Sequence, residues 1–207
     1  MSNYENSHEN SHAISREAMM ELPIGRYEGE VCLVTTPKEL ERAREDLAQE
    51  GIVGFDTETR PAFRKGESYP PCLFQAATAR AVYIFQLRRT EFFPLLTELL
   101  EKPGAVKAGV AVADDLRTLK HVFPFADKNV VDLGLVARHA GYGQTGLRNL
   151  AGIFMGIRIT KGIKTSNWAA PQLSAPQITY AATDAWVCRE LYLRFQKDGL
   201  LRNAQKH

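Results

Sequence analysis

Apolar residues in this chain come in short runs separated by stretches of helical period, and that alternation sets out most of the elements. Val31-Cys32-Leu33-Val34 reads as a short strand. Thr36-Pro37-Lys38-Glu39 combines an N-cap, a proline at the first helical position and a Glu three residues after the cap. The helix it opens has Leu40, Ala43, Leu47 and Ala48 on one face, and Gly51 stops it. Ile52-Val53-Gly54-Phe55 is the next strand, with Asp56 and Glu58 at its end. The runs Cys72–Ala76 and Ala81–Phe85 are rich in strand formers and predict a hairpin.

Residues 91–101 are amphipathic and helical, ended by Pro103-Gly104. A strand over 105–110 precedes a helix starting near Ala113, and Val130–Leu133 is another short strand. Helical segments follow around 134–140 and 146–155. Ser174-Ala175-Pro176-Gln177 is a second capping box, opening a helix to about Lys197. Strands that first meander and later alternate with helices predict an α/β fold, a mixed β-sheet flanked by helices on both faces.

Composition narrows this only a little. The chain has 207 residues, 44% of them hydrophobic, which suits one domain with a full core. A net charge of +2 neither demands nor excludes a nucleic-acid partner. Cys32, Cys72 and Cys188 are scattered in apolar segments, as reduced core cysteines are. No apolar stretch reaches the ~18 residues of a membrane span. The polar opening residues lack the pattern of a signal peptide. The expectation is a cytoplasmic protein with residues 1–20 as a mobile tail.

Candidate chemistry lies in three acidic segments. Asp56 and Glu58 are two apart on a strand, so their side chains leave the same face. Tyr180 and Asp184 are one turn apart on the last helix, within or beside a stripe of Ala181, Val187, Cys188 and Leu191. An ionised Asp facing inward is costly unless it is paired or binds a metal. Asp114 and Asp115 open a helix, where one can compensate the dipole while the other faces the site; spacing does not say which. Two carboxylates ~4 Å apart repel by about 4 kcal/mol at an effective dielectric near 20. Convergence of four acids is untenable without cations or protonation; it points to a divalent metal, and oxygen-only ligands favour Mg²⁺ or Mn²⁺.

The segments Asp56-Thr57-Glu58, Gly109 to Leu116 and Tyr180 to Ala185 resemble the three motifs of the DEDDy 3′–5′ exonucleases. Within that family the likeness is to the Werner syndrome exonuclease domain and RNase D. It spans roughly residues 30–196 and includes Val131-Asp132-Leu133 and Ser166-Asn167-Trp168. The resemblance implies a ribonuclease H-like fold in one exonuclease domain over 21–203. It implies a two-metal-ion release of nucleoside monophosphates from single-stranded or recessed 3′ ends of DNA or RNA. Asp56, Glu58 and Asp184 would hold the ion that activates water, Asp56 would bridge to a second ion supported by Asp115, and Tyr180 would orient the water. Asp132 matches a frequent family acid and is expected to make structural hydrogen bonds. The alternative is a catalytically silent nucleic-acid-binding module of the same fold.

Arg60, Phe63, Arg64, Lys65 and Tyr69 follow the first motif, and Lys161, Lys164 and Trp168 precede the last helix. They are the sequence candidates for phosphate and base contacts, equally explained as solvated loops with apolar anchors. Trp168 is expected to pack.

Overall fold

A computed structural model describes residues 12–62, 64, 66–160 and 166–202. Six strands, β1 (Glu30–Leu33), β2 (Ile52–Thr59), β3 (Pro71–Ala77), β4 (Ala81–Gln86), β5 (Val106–Gly109) and β6 (Val130–Asp132), form one sheet in the order β1-β4-β3-β2-β5-β6. β3 pairs antiparallel with both β2 and β4, whereas β1 joins β4, β5 joins β2 and β6 joins β5 in parallel. The sheet is mixed, as the sequence pattern predicts.

Its two faces are covered by different helices. Against one face lie α2 (Pro37–Gln49), α3 (Phe93–Glu101) and α4 (Val112–Leu119), with Ala43, Leu47, Leu96 and Leu119 packed on Val53, Phe55, Phe74 and Phe85. Against the other lie α5 (Leu133–His139), α6 (Leu147–Met155) and the long α7 (Ala175–Lys197), whose Ala181, Ala182 and Ala185 pack on Leu73, Ala77 and Ile84. Both predicted capping boxes are present: Thr36 with Glu39 on α2, and Ser174 with Gln177 on α7. Two cysteines, Cys32 and Cys188, are buried, and all three are free thiols. Among the described residues no helix is long and apolar enough to cross a membrane.

One strand is longer than its apolar run and one expectation needs correction. β2 runs past Phe55 to Thr59 and carries Asp56 and Glu58 near its end, as expected. β3 supplies the reason, pairing Asp56 with Gln75 and Glu58 with Leu73 before the register shifts at Glu58/Thr59. Within the segment assigned to the tail, residues 16–21 form a helix, α1 (Arg16–Glu21), capped by Ser15, which accepts a hydrogen bond from the Ala18 amide. Residues 1–11 of that segment lie outside the described residues.

The period of two along β2 positions the site. Val53 and Phe55 face α2, α3 and α4, while Gly54 passes under α7 so closely that a Cβ there would lie 2.2 Å from the Ala185 carbonyl oxygen. Asp56 and Glu58 share the parity of Gly54 and therefore point toward α7. Glycine at position 54 sets the sheet-to-helix spacing that lets acids from β2 and α7 meet.

Candidate active site

β2 brings Asp56 and Glu58 to the α7 face, and the second and third turns of α7 bring Tyr180 and Asp184 down onto them. One carboxylate oxygen each from Asp56, Glu58 and Asp184 lie within 4.8 Å of one another. Asp56 is half-buried, and Glu58 and Asp184 are buried. Three hard oxygen donors at that separation fit a divalent cation, whose charge offsets their repulsion.

Asp115 enters from α4. Thr57, between the two strand acids, points the opposite way from them and donates its hydroxyl proton to Asp115 Oδ1 at 2.8 Å. Asp115 is half-buried and lines the same cleft as Asp56, Glu58, Tyr180 and Asp184. Asp114, left open by sequence spacing, is exposed and paired at 2.9 Å with Arg117, one turn along α4. Of the two, Asp115 is the acid that lines the cleft.

The start of α4 explains how Asp115 is aimed. Ala111 adopts a left-handed conformation (φ 59°, ψ 39°) and gives the helix no side-chain cap. Asp132, at the end of β6, substitutes for that cap by accepting the Ala111 and Val112 amides at 3.1 Å each. The same carboxylate caps α5 by accepting from Gly134 and Leu135. Asp132 thus ties two helix starts together, the structural role expected for it.

The acids perturb one another in a consistent direction. Burial, and then the charges of Asp184, Glu58 and Asp115, hold the Asp56 carboxyl well above the usual carboxylate range, opposed only by the Thr57 amide. Burial also raises Asp115, against the Thr57 hydroxyl, with Asp114 and Asp132 adding to the rise. Burial and the nearby charges of Asp184, Glu58 and Asp56 push the Tyr180 phenol far above its ordinary range, and its hydrogen bond to Asp184 adds to this. Tyr180 is therefore a neutral phenol at any physiological pH, suited to orienting a ligand by a hydrogen bond and unsuited to removing a proton.

The five predicted site residues all line one cleft of about 1010 Å³. The basic residues predicted around it do not fare the same way. Arg60 and Arg64 are exposed outside the described lining, and the Arg60 guanidinium stacks 3.6 Å above the ring of Tyr69. Phe63, Lys65, Lys161 and Lys164 lie outside the described residues. Trp168 is fully buried with its ring 5.8 Å from that of Tyr180, so it packs behind the phenol, as expected. Among the described residues, the basic side chains that line the cleft are Arg16, Arg148 and Arg158, none of which the sequence singled out. Arg148 sits on the polar side of an amphipathic helix and Arg16 in an apparent tail, positions with no motif to mark them.

A sequence model of the family described as 3'-5' exonuclease matches residues 31–199. Ribonuclease D of Gluconacetobacter diazotrophicus is 33% identical over 82% of this chain, which spans 44% of that relative's length. A 3'-5' exonuclease of Arabidopsis thaliana is 27% identical over 86% of this chain and 68% of its own. The Aedes aegypti Nibbler EXO domain has the same fold, with a TM-score of 0.75 at 22% identity, covering 87% of this chain and 94% of that one. The acids that meet in the cleft fall within the matched span, and the chain belongs to the 3'-5' exonuclease family.

Proposed function

We propose that the protein hydrolyses phosphodiester bonds from the 3′ end of a nucleic acid, as a single exonuclease domain over residues 21–203. The carrying observation is the meeting of Asp56, Glu58 and Asp184 within 4.8 Å, in a cleft that also holds Asp115 and Tyr180. In this reading Asp56, Glu58 and Asp184 would hold one divalent cation, and Asp115 with Asp56 would hold a second. Two such cations, Mg²⁺ or Mn²⁺, would supply Lewis-acid charge for phosphodiester hydrolysis when bound.

The chain's own groups do the rest. The Tyr180 phenol, which gives its proton to a hydrogen bond with Asp184, can accept a hydrogen bond from an attacking water on its oxygen and set the water's line of approach. Thr57 fixes the Asp115 carboxylate by its 2.8 Å hydrogen bond, so that this acid needs little reorganisation on binding. Burial of Glu58 and Asp184 lowers the local dielectric and strengthens the attraction for cations. The substrates proposed are single-stranded or recessed 3′ ends of DNA or RNA, and free thiols, two of them buried, fit the reducing cytoplasm.

The test is degradation of 5′-labelled DNA and RNA oligonucleotides by the purified protein. Stepwise shortening from the 3′ end is expected with Mn²⁺ or Mg²⁺, abolished by a chelator and reduced at least about 10³-fold in Asp184→Asn. Absence of shortening with both polymers and both metals refutes the proposal, and retained salt-dependent binding in that case would identify a silent binding module.

A further inference from the structure

One wall of the cleft is made by residues that precede the family's matched span of 31–199. Ile14, Arg16, Met19 and Met20 line it on one side, with Arg148 and Arg158 among the other lining residues and the acids on the floor. α1 has six residues and buries none, far too short to persist by itself in water. It is nevertheless fastened at several points. The Ile14 amide donates to Gln144 Oε1 at 3.1 Å, and Gln144 Nε2 donates back to the Ile14 carbonyl at 3.1 Å. His12 meets the Tyr142 ring edge-on at 4.6 Å. Met19 occupies the space above Gly152, where a Cβ would lie 2.6 Å from its methyl. The Pro23 carbonyl accepts from the Arg158 amide at 2.8 Å, and the Gly25 amide donates to the Arg158 carbonyl at 3.1 Å. A segment with no core of its own is thus anchored across the mouth of the acidic cleft.

The cations there lack the usual partners. Among the described residues neither Arg16, Arg148 nor Arg158 forms an ion pair with a carboxylate. Arg148 uses Nε on the Ile159 carbonyl at 3.0 Å, which fixes its guanidinium and leaves both terminal amino groups for another acceptor. The Nε of half-buried Arg158 is buried and meets no acceptor, and one of its terminal nitrogens lies 4.0 Å from the Met20 sulfur. Half-buried guanidiniums at Arg148 and Arg158, with an exposed one at Arg16 and polarisable thioethers beside them, match phosphates alternating with bases.

We infer that Arg16, Arg148 and Arg158, with Met19 and Met20, form the subsites for the nucleotides upstream of the scissile bond of an unpaired strand. The N-terminal segment completes a binding groove that the family's matched span leaves open on that side. The cations bind backbone phosphates and the methionines contact base faces. This inference rests on the exonuclease reading for which bond is cut, and on the cleft alone for what is bound.

The test is binding of 5′-labelled single strands of two to seven nucleotides, by fluorescence anisotropy, in Ca²⁺ and again in chelator. For the intact chain, affinity should rise with strand length. Arg148→Ala/Arg158→Ala should bind the longer strands at least about tenfold more weakly, the factor for losing charge-assisted phosphate contacts. Its slope of log affinity against log salt should fall by about 0.7 per arginine. Arg148→Lys, which keeps the charge, should retain the slope. Arg16→Glu alters an exposed side chain with no partner to lose and guards against misfolding as an explanation; it should weaken binding severalfold. Unchanged affinity and slope in the double variant and in Arg16→Glu would overturn the inference, as would failure of the intact chain to bind any strand. Should binding follow the expected pattern while Mn²⁺ produces no cleavage, the subsites stand and the exonuclease reading fails.

Discussion

Replacing Asp56 by Asn should make the metal-free protein more stable, an effect opposite to most buried substitutions. The oxygens of Asp56, Glu58 and Asp184 lie within 4.8 Å of one another. At that distance two ionised carboxylates repel by about 3.5 kcal/mol at an effective dielectric of 20, and Asp56 has two such neighbours. The folded chain escapes the full cost by taking up a proton, which at pH 7 costs about 4 kcal/mol for a carboxyl of unfolded pKa near 3.9. The cost of keeping Asp56 folded at pH 7 without metal is therefore bounded near that figure. Asn has the same shape and no charge, so Asp56→Asn should recover about 2–4 kcal/mol. For a chain of this length that corresponds to a rise in Tm of roughly 4–16 °C.

The sign with pH follows from the direction of the shift. The Asp56 carboxyl is raised in the fold, so its contribution to stability is fully present below about pH 4 and is lost as pH rises through the folded value. The advantage of Asp56→Asn should accordingly vanish near pH 4 and grow toward neutrality. Thermal unfolding in chelator at both pH values measures this, and added Mn²⁺ should stabilise the unmodified protein much more than the variant. No gain at pH 7, or an equal gain at pH 4, would show that the three acids do not share one electrostatic site.

Gly54→Ala places a methyl carbon 2.2 Å from the Ala185 carbonyl and 2.5 Å from the Arg189 amide nitrogen, so β2 and α7 must separate. A loss of about 3 kcal/mol or more in urea unfolding, together with loss of Mn²⁺-induced stabilisation, is expected. Asp132→Ala leaves the amides of Ala111, Val112, Gly134 and Leu135 without their acceptor and should cost about 2–4 kcal/mol. Ala111→Gly, at the left-handed turn, should stabilise by about 1 kcal/mol in the same measurement.

Much of this was legible before any coordinates. The capping boxes at Thr36 and Ser174, the apolar runs of β2 to β5 and the helical stripe of α7 depend on local interactions, within a turn or a strand, and local sequence specifies them. The parity of Asp56 with Glu58, and the one-turn spacing of Tyr180 from Asp184, are likewise properties of a strand and a helix wherever they occur. Tertiary structure alone decided the rest. Asp114 and Asp115 differ by about 100° around α4, and only the Thr57 hydroxyl on β2 distinguishes the acid that faces the cleft from the one that pairs with Arg117. The extension of β2 to Thr59 was decided by its partner strand, because ladder hydrogen bonds are non-local. Arg16, Arg148 and Arg158 meet at the cleft through contacts between residues more than a hundred positions apart, and no period or motif within any one segment records such a meeting.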